Sequence, residues 1–146
     1  APTMSRSSGM TLNKCRVLLI AYWKKNWAVK KISKALIVKT IGEQMWLYNP
    51  VSKFWYSLRY EKDKFSTLNQ GTGVYCFDSW VREVRNNGLK MCGQFHDEIV
   101  LPVPLNKEKV VSILLIDAID KVNDRLKLNR KLSIDIQYGN NYAEVH

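Results

Sequence analysis

Three ionisable residues in a row, His96-Asp97-Glu98, stand between two strand-like runs. Before them Leu89, Met91, Gly93 and Phe95 alternate with Lys90, Cys92 and Gln94, the period of a half-buried strand. After them Ile99, Val100, Leu101 and Val103 are β-branched or apolar, and Pro102 suits a strand end or edge. The join holds neither Gly nor Pro, so a tight hairpin would present all three side chains at its tip. Adjacent carboxylates repel, and a turn with no other task favours Asn-Gly or Asp-Gly. A hard divalent cation removes the conflict, because Mg²⁺ takes one or two carboxylates plus substrate phosphates. That chemistry is phosphoryl transfer. Taken alone, the triplet reads first as a solvated polar turn, and its context has to decide.

The context is the string Gln94-Phe95-His96-Asp97-Glu98-Ile99-Val100-Leu101-Pro102-Val103-Pro104. It resembles the third signature motif of family A DNA polymerases, the palm-domain hairpin that carries a metal-binding Asp. A second block lies upstream, Phe65-Ser66-Thr67-Leu68-Asn69-Gln70-Gly71-Thr72-Gly73, leading into Val74-Tyr75-Cys76-Phe77-Asp78-Ser79-Trp80-Val81. It is similar to the family's palm helix, whose pattern runs Asn-Thr-x-x-Gln-Gly-Thr-Ala. Gln70, Gly71 and Thr72 match directly and Thr67 matches in register. Ser66 stands where the family usually has Asn, and Lys62 where it usually has Arg. Both departures keep a donor. The ending Asn141-Tyr142-Ala143-Glu144-Val145-His146 is similar to phage polymerases that finish in Asn-Trp-Ala-x-x-His. The resemblance spans about residues 11 to 146 and is strongest from Phe65 to Pro104.

The resemblance implies a role for each residue. Asp97 would be the principal catalytic and metal-binding carboxylate, bridging two Mg²⁺ ions in an in-line displacement on an incoming deoxynucleoside triphosphate. Glu98 points off the other side by strand alternation and takes a secondary, metal-proximal role. His96 would approach the primer terminus. Gln70 would reach the DNA minor groove, where the acceptors are nearly the same for every base pair, so that it checks pair geometry without reading sequence. Lys62 and Arg59 are candidates for template or primer phosphates, with Ser66 and Thr67 as further DNA contacts. A solvated amide at Gln70 and a solvated turn lysine at Lys62 are the competing readings. His146 is suggestive only through the ending it belongs to.

Composition agrees with this and does not choose it. The 146 residues are one domain's worth of chain, with a formal net charge of +10. Such a surplus attracts polyanions, and it equally suits a ribosomal or membrane-surface protein. Cys15, Cys76 and Cys92 are odd in number and too widely spaced for a zinc knuckle, so they read as reduced, buried thiols of an intracellular protein, in the host cytoplasm if viral. No apolar run reaches transmembrane length, and residues 1–10 read as a polar N-terminal tail without the apolar core of a signal peptide. No membrane partner is expected.

Several elements must position these residues. Cys15, Leu19, Tyr22, Trp23, Trp27, Ile32, Leu36 and Ile37 recur at helical spacing from Thr11 to about Gly42, with Lys24, Lys25, Lys30, Lys31 and Lys34 between them. One or two amphipathic helices with a solvated lysine face are expected there. Asn49-Pro50 marks a turn after Met45 to Tyr48, and Phe54 to Tyr60 reads as a strand that by position resembles the family's short hairpin between two helices. A helix capped by Ser66 or Thr67 should run to about Asn87 and stop at Gly88, with Val74, Phe77, Val81 and Val84 as a core stripe. Asn106 should cap a last helix whose Val111, Leu114, Leu115, Ala118, Ile119 and Val122 face inward, and Lys131 to Tyr138 should return as a strand. The expected class is α+β, a palm-type small antiparallel sheet with the metal hairpin packed against helices, in a single portion from residue 11 to 146 that includes a fingers-adjacent helix.

Two family motifs have no counterpart. Two-metal chemistry needs a second aspartate, which the family supplies from Asp-x-Ser-x-x-Glu, and no such string occurs. The fingers pattern Arg-x-x-x-Lys-x-x-x-Phe/Tyr-Gly is also missing, with Ser8-Gly9-Met10 at most a stub after it. The expectation is therefore the C-terminal palm part of a DNA-directed DNA polymerase of phage type. A complementary polypeptide would have to complete the Mg²⁺ site, with primer-template DNA and deoxynucleoside triphosphates as the other partners. The alternative is a non-catalytic basic nucleic-acid-binding domain.

Overall fold

The computed structural model describes residues 1–145, so His146 lies outside the described residues. The chain is α+β with two small antiparallel sheets. It forms two compact units, Ala1–Asn49 with Lys53–Leu68, and Pro50–Ser52 with Asn69 onward.

The first unit begins with a short helix, α1 (Pro2–Ser8), where a polar tail was expected. Thr11 then accepts from the Lys14 N–H and caps α2 (Leu12–Lys25), and α3 (Trp27–Ala35) follows after Asn26. The apolar periodicity through Ile37 does not continue as helix, because Val38–Ile41 is a strand, β1. Gly42, at φ 60°, supplies the left-handed turn into β2 (Gln44–Tyr48). The third strand is β3 (Trp55–Leu58), and the order is β1-β2-β3 with Val38 opposite Leu47 and Leu47 opposite Tyr56. The sheet therefore has one strand more than the expected hairpin. β1 was hidden because Leu36 and Ile37 carry the helical spacing up to the residue before it.

The second unit is built on two long helices. A 3₁₀ turn of the first unit, Glu61–Asp63, leads into α4 (Lys64–Asn86), which belongs to the second unit from Asn69 on; Ser66 and Thr67 lie inside its first turn and do not cap it. The helix ends in a Schellman motif: Leu89 N–H donates to Val84 O at 3.3 Å and Gly88 N–H to Arg85 O at 2.9 Å, with Gly88 at φ 80°. Phe77, Trp80, Val81 and Val84 face inward at spacings of three and four. Val74 does not, being 61% exposed. The stripe begins one turn later than expected.

Helix α5 (Glu108–Leu126) presents Val111, Leu115, Ala118, Ile119 and Val122 to that stripe. Leu114 is half-buried. The cap is Lys107, not Asn106, whose φ of 64° places it in the left-handed region of the preceding turn. Polar side chains tie the helices together. Asn87 Nδ2 donates to Leu114 O at 2.8 Å and Asp117 Oδ2 at 3.0 Å, while Lys121 Nζ lies 2.6 Å from that carboxylate and 3.0 Å from Asn87 Oδ1. The Lys121 ammonium, then Asn87, hold the Asp117 carboxyl below the usual carboxylate range.

The expected last strand is absent. Residues 131–138 join no ladder, although Leu132, Ile134 and Ile136 still turn inward against the core in alternation. Asn123 replaces the ladder at its start: its amide donates to Leu132 O at 2.9 Å and accepts from Leu132 N–H at 2.7 Å. Tyr138 Oη donates to Glu108 O at 2.7 Å and fixes the far end.

Candidate functional site

Strands β4 (Gly93–Phe95) and β5 (Glu98–Val100) pair antiparallel, with Phe95 opposite Glu98 and Gly93 opposite Val100. His96 and Asp97 are therefore the two residues of the turn. The regular strands are shorter than the apolar alternation, because Leu89 and Met91 leave the ladder and pack on the helical core with Ile99, Leu101 and Val103. That packing anchors the hairpin's base and leaves its tip in solvent.

His96 bends the chain at φ 47°, a conformation that a non-glycine residue rarely holds. Strain of this kind is retained where surrounding structure fixes it, commonly at functional sites. Asp97 is exposed, and no hydrogen bond or ion pair reaches its carboxylate among the described residues. Glu98 is half-buried and accepts from Tyr142 Oη at 3.4 Å. The Tyr142 ring also meets Phe95, with centroids 5.9 Å apart. Phe95 in turn leans over Gly93, where an added Cβ would come within 2.8 Å of its ring. Partial burial, then the neighbouring Glu98 charge and hydrogen bond, push the Tyr142 phenol above its ordinary value.

The three residues of the triplet thus do different things. Asp97 is a free, hard oxygen donor at an exposed tip, which fits a Mg²⁺ ion that keeps waters and phosphates as its other ligands. Glu98 is engaged with Tyr142. His96 supplies the turn. Among the described residues no three His, Cys, Asp or Glu side chains converge into a ligand set.

The DNA-contact candidates form two groups. Arg59 and Lys62 flank one ring, each with its cationic group 5.3 Å from the Tyr60 centroid, and Lys62 Nζ lies 3.9 Å from Asp63. Ser66 and Gln70 are exposed one turn apart on α4, and the Gln70 amide takes no partner among the described residues. Thr67 is half-buried on the adjacent face.

Two residues were not singled out as contributors to the site. Tyr142 was visible only as part of the chain ending, and Tyr60 only as one member of an aromatic run. Contact with Glu98 in one case and with two cations in the other gives them their place. Cys15 and Cys76 are buried as expected, whereas Cys92 is exposed, with its thiol on Val100 O at 3.4 Å. Burial raises the Cys76 thiol pKa. No helix among the described residues is long and apolar enough to cross a membrane. No family model, curated protein or solved structure matches the chain.

Proposed function

We propose that this chain is the palm-forming C-terminal part of a DNA-directed DNA polymerase resembling family A. It would extend a primer 3′ end from deoxynucleoside triphosphates once a second polypeptide supplies the missing aspartate and the fingers helix. The observation that carries this reading is the two-residue turn of the β4–β5 hairpin, which exposes an unpartnered Asp97 from a base anchored in the core.

Asp97 would hold Mg²⁺, with Glu98 nearby. When bound, the ions lower the cost of charge developing on the attacking and leaving oxygens. The chain's own residues do the rest. Phe95, Gly93 and Ile99 fix the direction in which the tip points, and Tyr142 holds Glu98 back from it. His96 stands next to the carboxylate, where a primer terminus would approach. Gln70 offers an amide donor to the minor-groove edge of the terminal pair. Arg59 and Lys62, already gathered around Tyr60, offer positive charge to phosphates.

Primer extension by the chain alone and by the chain mixed with a polypeptide carrying Asp-x-Ser-x-x-Glu and the fingers pattern tests this. Extension should occur only in the mixture. Robust extension by the chain alone would refute the divided site. No extension by the completed mixture would leave a non-catalytic nucleic-acid-binding domain as the better reading.

A further inference from the structure

The positive charge of this protein is not spread over it. Residues 1–42 carry nine Lys and Arg and no Asp or Glu, which is nearly the whole of the net +10. The same stretch holds α2 and α3, and it leaves large apolar side chains in solvent. Trp27 is 62% exposed, Ile20 70% and Trp23 41%. A solvated amphipathic helix buries its aromatic side and wets its lysines. Here both are wet.

The arrangement within α3 is specific. At 100° per residue, Lys30, Lys31 and Lys34 all lie within about 60° of Trp27 around the helix, while Ala28, Ile32 and Ala35 gather on another face. A helix lying on a membrane would group its Trp with the apolar side chains and keep lysines opposite. Trp27 sits among the lysines instead. Next to it, Leu19, Ile20, Trp23 and Lys24 of α2 and Lys30 of α3 line an open groove of about 360 Å³. One wall is apolar and aromatic, and ammonium groups stand on both helices. Tyr22 meets Trp23 edge-on, with ring centroids 5.1 Å apart.

We propose that the α2–α3 face is a binding site for single-stranded nucleic acid, with unpaired bases stacking on Trp23 and Trp27 and the backbone held by Lys24, Lys30, Lys31 and Lys34. Flat rings flanked by cations suit a strand whose bases are free, because every base has a face to stack and every nucleotide a phosphate to neutralise. A duplex keeps its bases stacked on each other and offers only its phosphates. Affinity should therefore be higher for single strands, insensitive to base order and steeply salt-dependent. The site belongs to the first unit and does not rest on the polymerase reading, since neither Asp97 nor Gln70 takes part in it.

The test is titration of the whole chain with labelled oligodeoxythymidylate, with a duplex of equal length and anionic phosphatidylserine vesicles as comparisons. Binding should quench tryptophan emission and favour the single strand. Trp27→Ala, at an exposed position that should not disturb folding, should weaken single-strand binding about tenfold. Lys30→Gln combined with Lys34→Gln should flatten the salt slope by about 1.4. Lys109→Gln, at an exposed lysine of α5 outside both proposed sites, should bind as tightly as the unaltered chain, which separates the α2–α3 face from general attraction to a basic chain. Unchanged single-strand binding by Trp27→Ala, or a loss in that variant that is equal for duplex and single strand, would overturn the proposal. So would vesicle binding without oligonucleotide binding.

Discussion

The side-chain amide of Asn123 grips both backbone groups of Leu132, accepting from its N–H at 2.7 Å and donating to its carbonyl at 2.9 Å. A buried amide on α5 thus does for the returning segment what a neighbouring strand would do in a sheet. Asn123→Ala strands both groups of Leu132. Leaving a buried partner unsatisfied costs roughly 1–3 kcal/mol. Urea unfolding should show a loss of about 2 kcal/mol, and a loss indistinguishable from zero would mean that Leu132, Ile134 and Ile136 hold the segment by apolar contact alone.

The hairpin turn makes a prediction of opposite sign. His96 holds φ 47°, which costs a non-glycine residue about 1–2 kcal/mol. His96→Gly should therefore stabilise the fold by about 1 kcal/mol in the same measurement. In a reconstituted polymerase it should at the same time slow primer extension. Stabilisation without loss of extension would show that the imidazole has no part in the reaction.

Charge at the tip is the central test of the proposed activity. Asp97→Asn keeps the shape and removes the charge that would hold the ions, so extension by the completed enzyme should fall at least about a thousandfold, with folding unchanged. Glu98→Gln should slow it far less, because Glu98 already accepts from Tyr142. Two equally harmless substitutions in single-turnover assays would remove the hairpin from the chemistry.

Gln70 separates helix support from inspection of the terminal pair. Its exposed amide has no partner among the described residues, so Gln70→Ala should leave stability within experimental error. Matched primer ends should be extended about one to two decades more slowly, the effect of losing roughly 1–3 kcal/mol of hydrogen bonding. Mismatched ends should suffer less, since they already misplace the acceptor. An equal fall for both ends would withdraw the minor-groove role.

Asp117 and Tyr142 should each bend the dependence of stability on pH, at opposite ends. The Asp117 carboxyl is lowered by Lys121 and Asn87, so its stabilising contribution is present above the ordinary carboxylate pKa and is lost as pH falls through the lowered value. The Tyr142 phenol is raised, so its contribution is present below the ordinary tyrosine pKa and is lost as pH rises through the raised value. Asp117→Asn should flatten the acid limb of stability against pH, and Tyr142→Phe the alkaline one. Unfolding midpoints across a pH series read both, and an unchanged limb in either variant would remove that residue as its cause.

Much of the second unit was legible because its signals are local. The His96-Asp97 hairpin, the Gly88 stop and the inward face of α5 each follow from a short pattern: alternation, a glycine after a helix, or apolar residues at spacings of three and four. The tertiary structure decided what local pattern leaves open. Val38 to Ile41 became a strand because β2 offered it a ladder, whereas residues 131–138, with a cleaner alternation, met no strand and were held by Asn123 and Tyr138 instead. Likewise, the same periodicity in α3 and α4 could not say that Trp80 would be buried and Trp27 exposed. Periodicity fixes which side chains share a face; whether that face meets a partner depends on contacts between residues far apart in the chain.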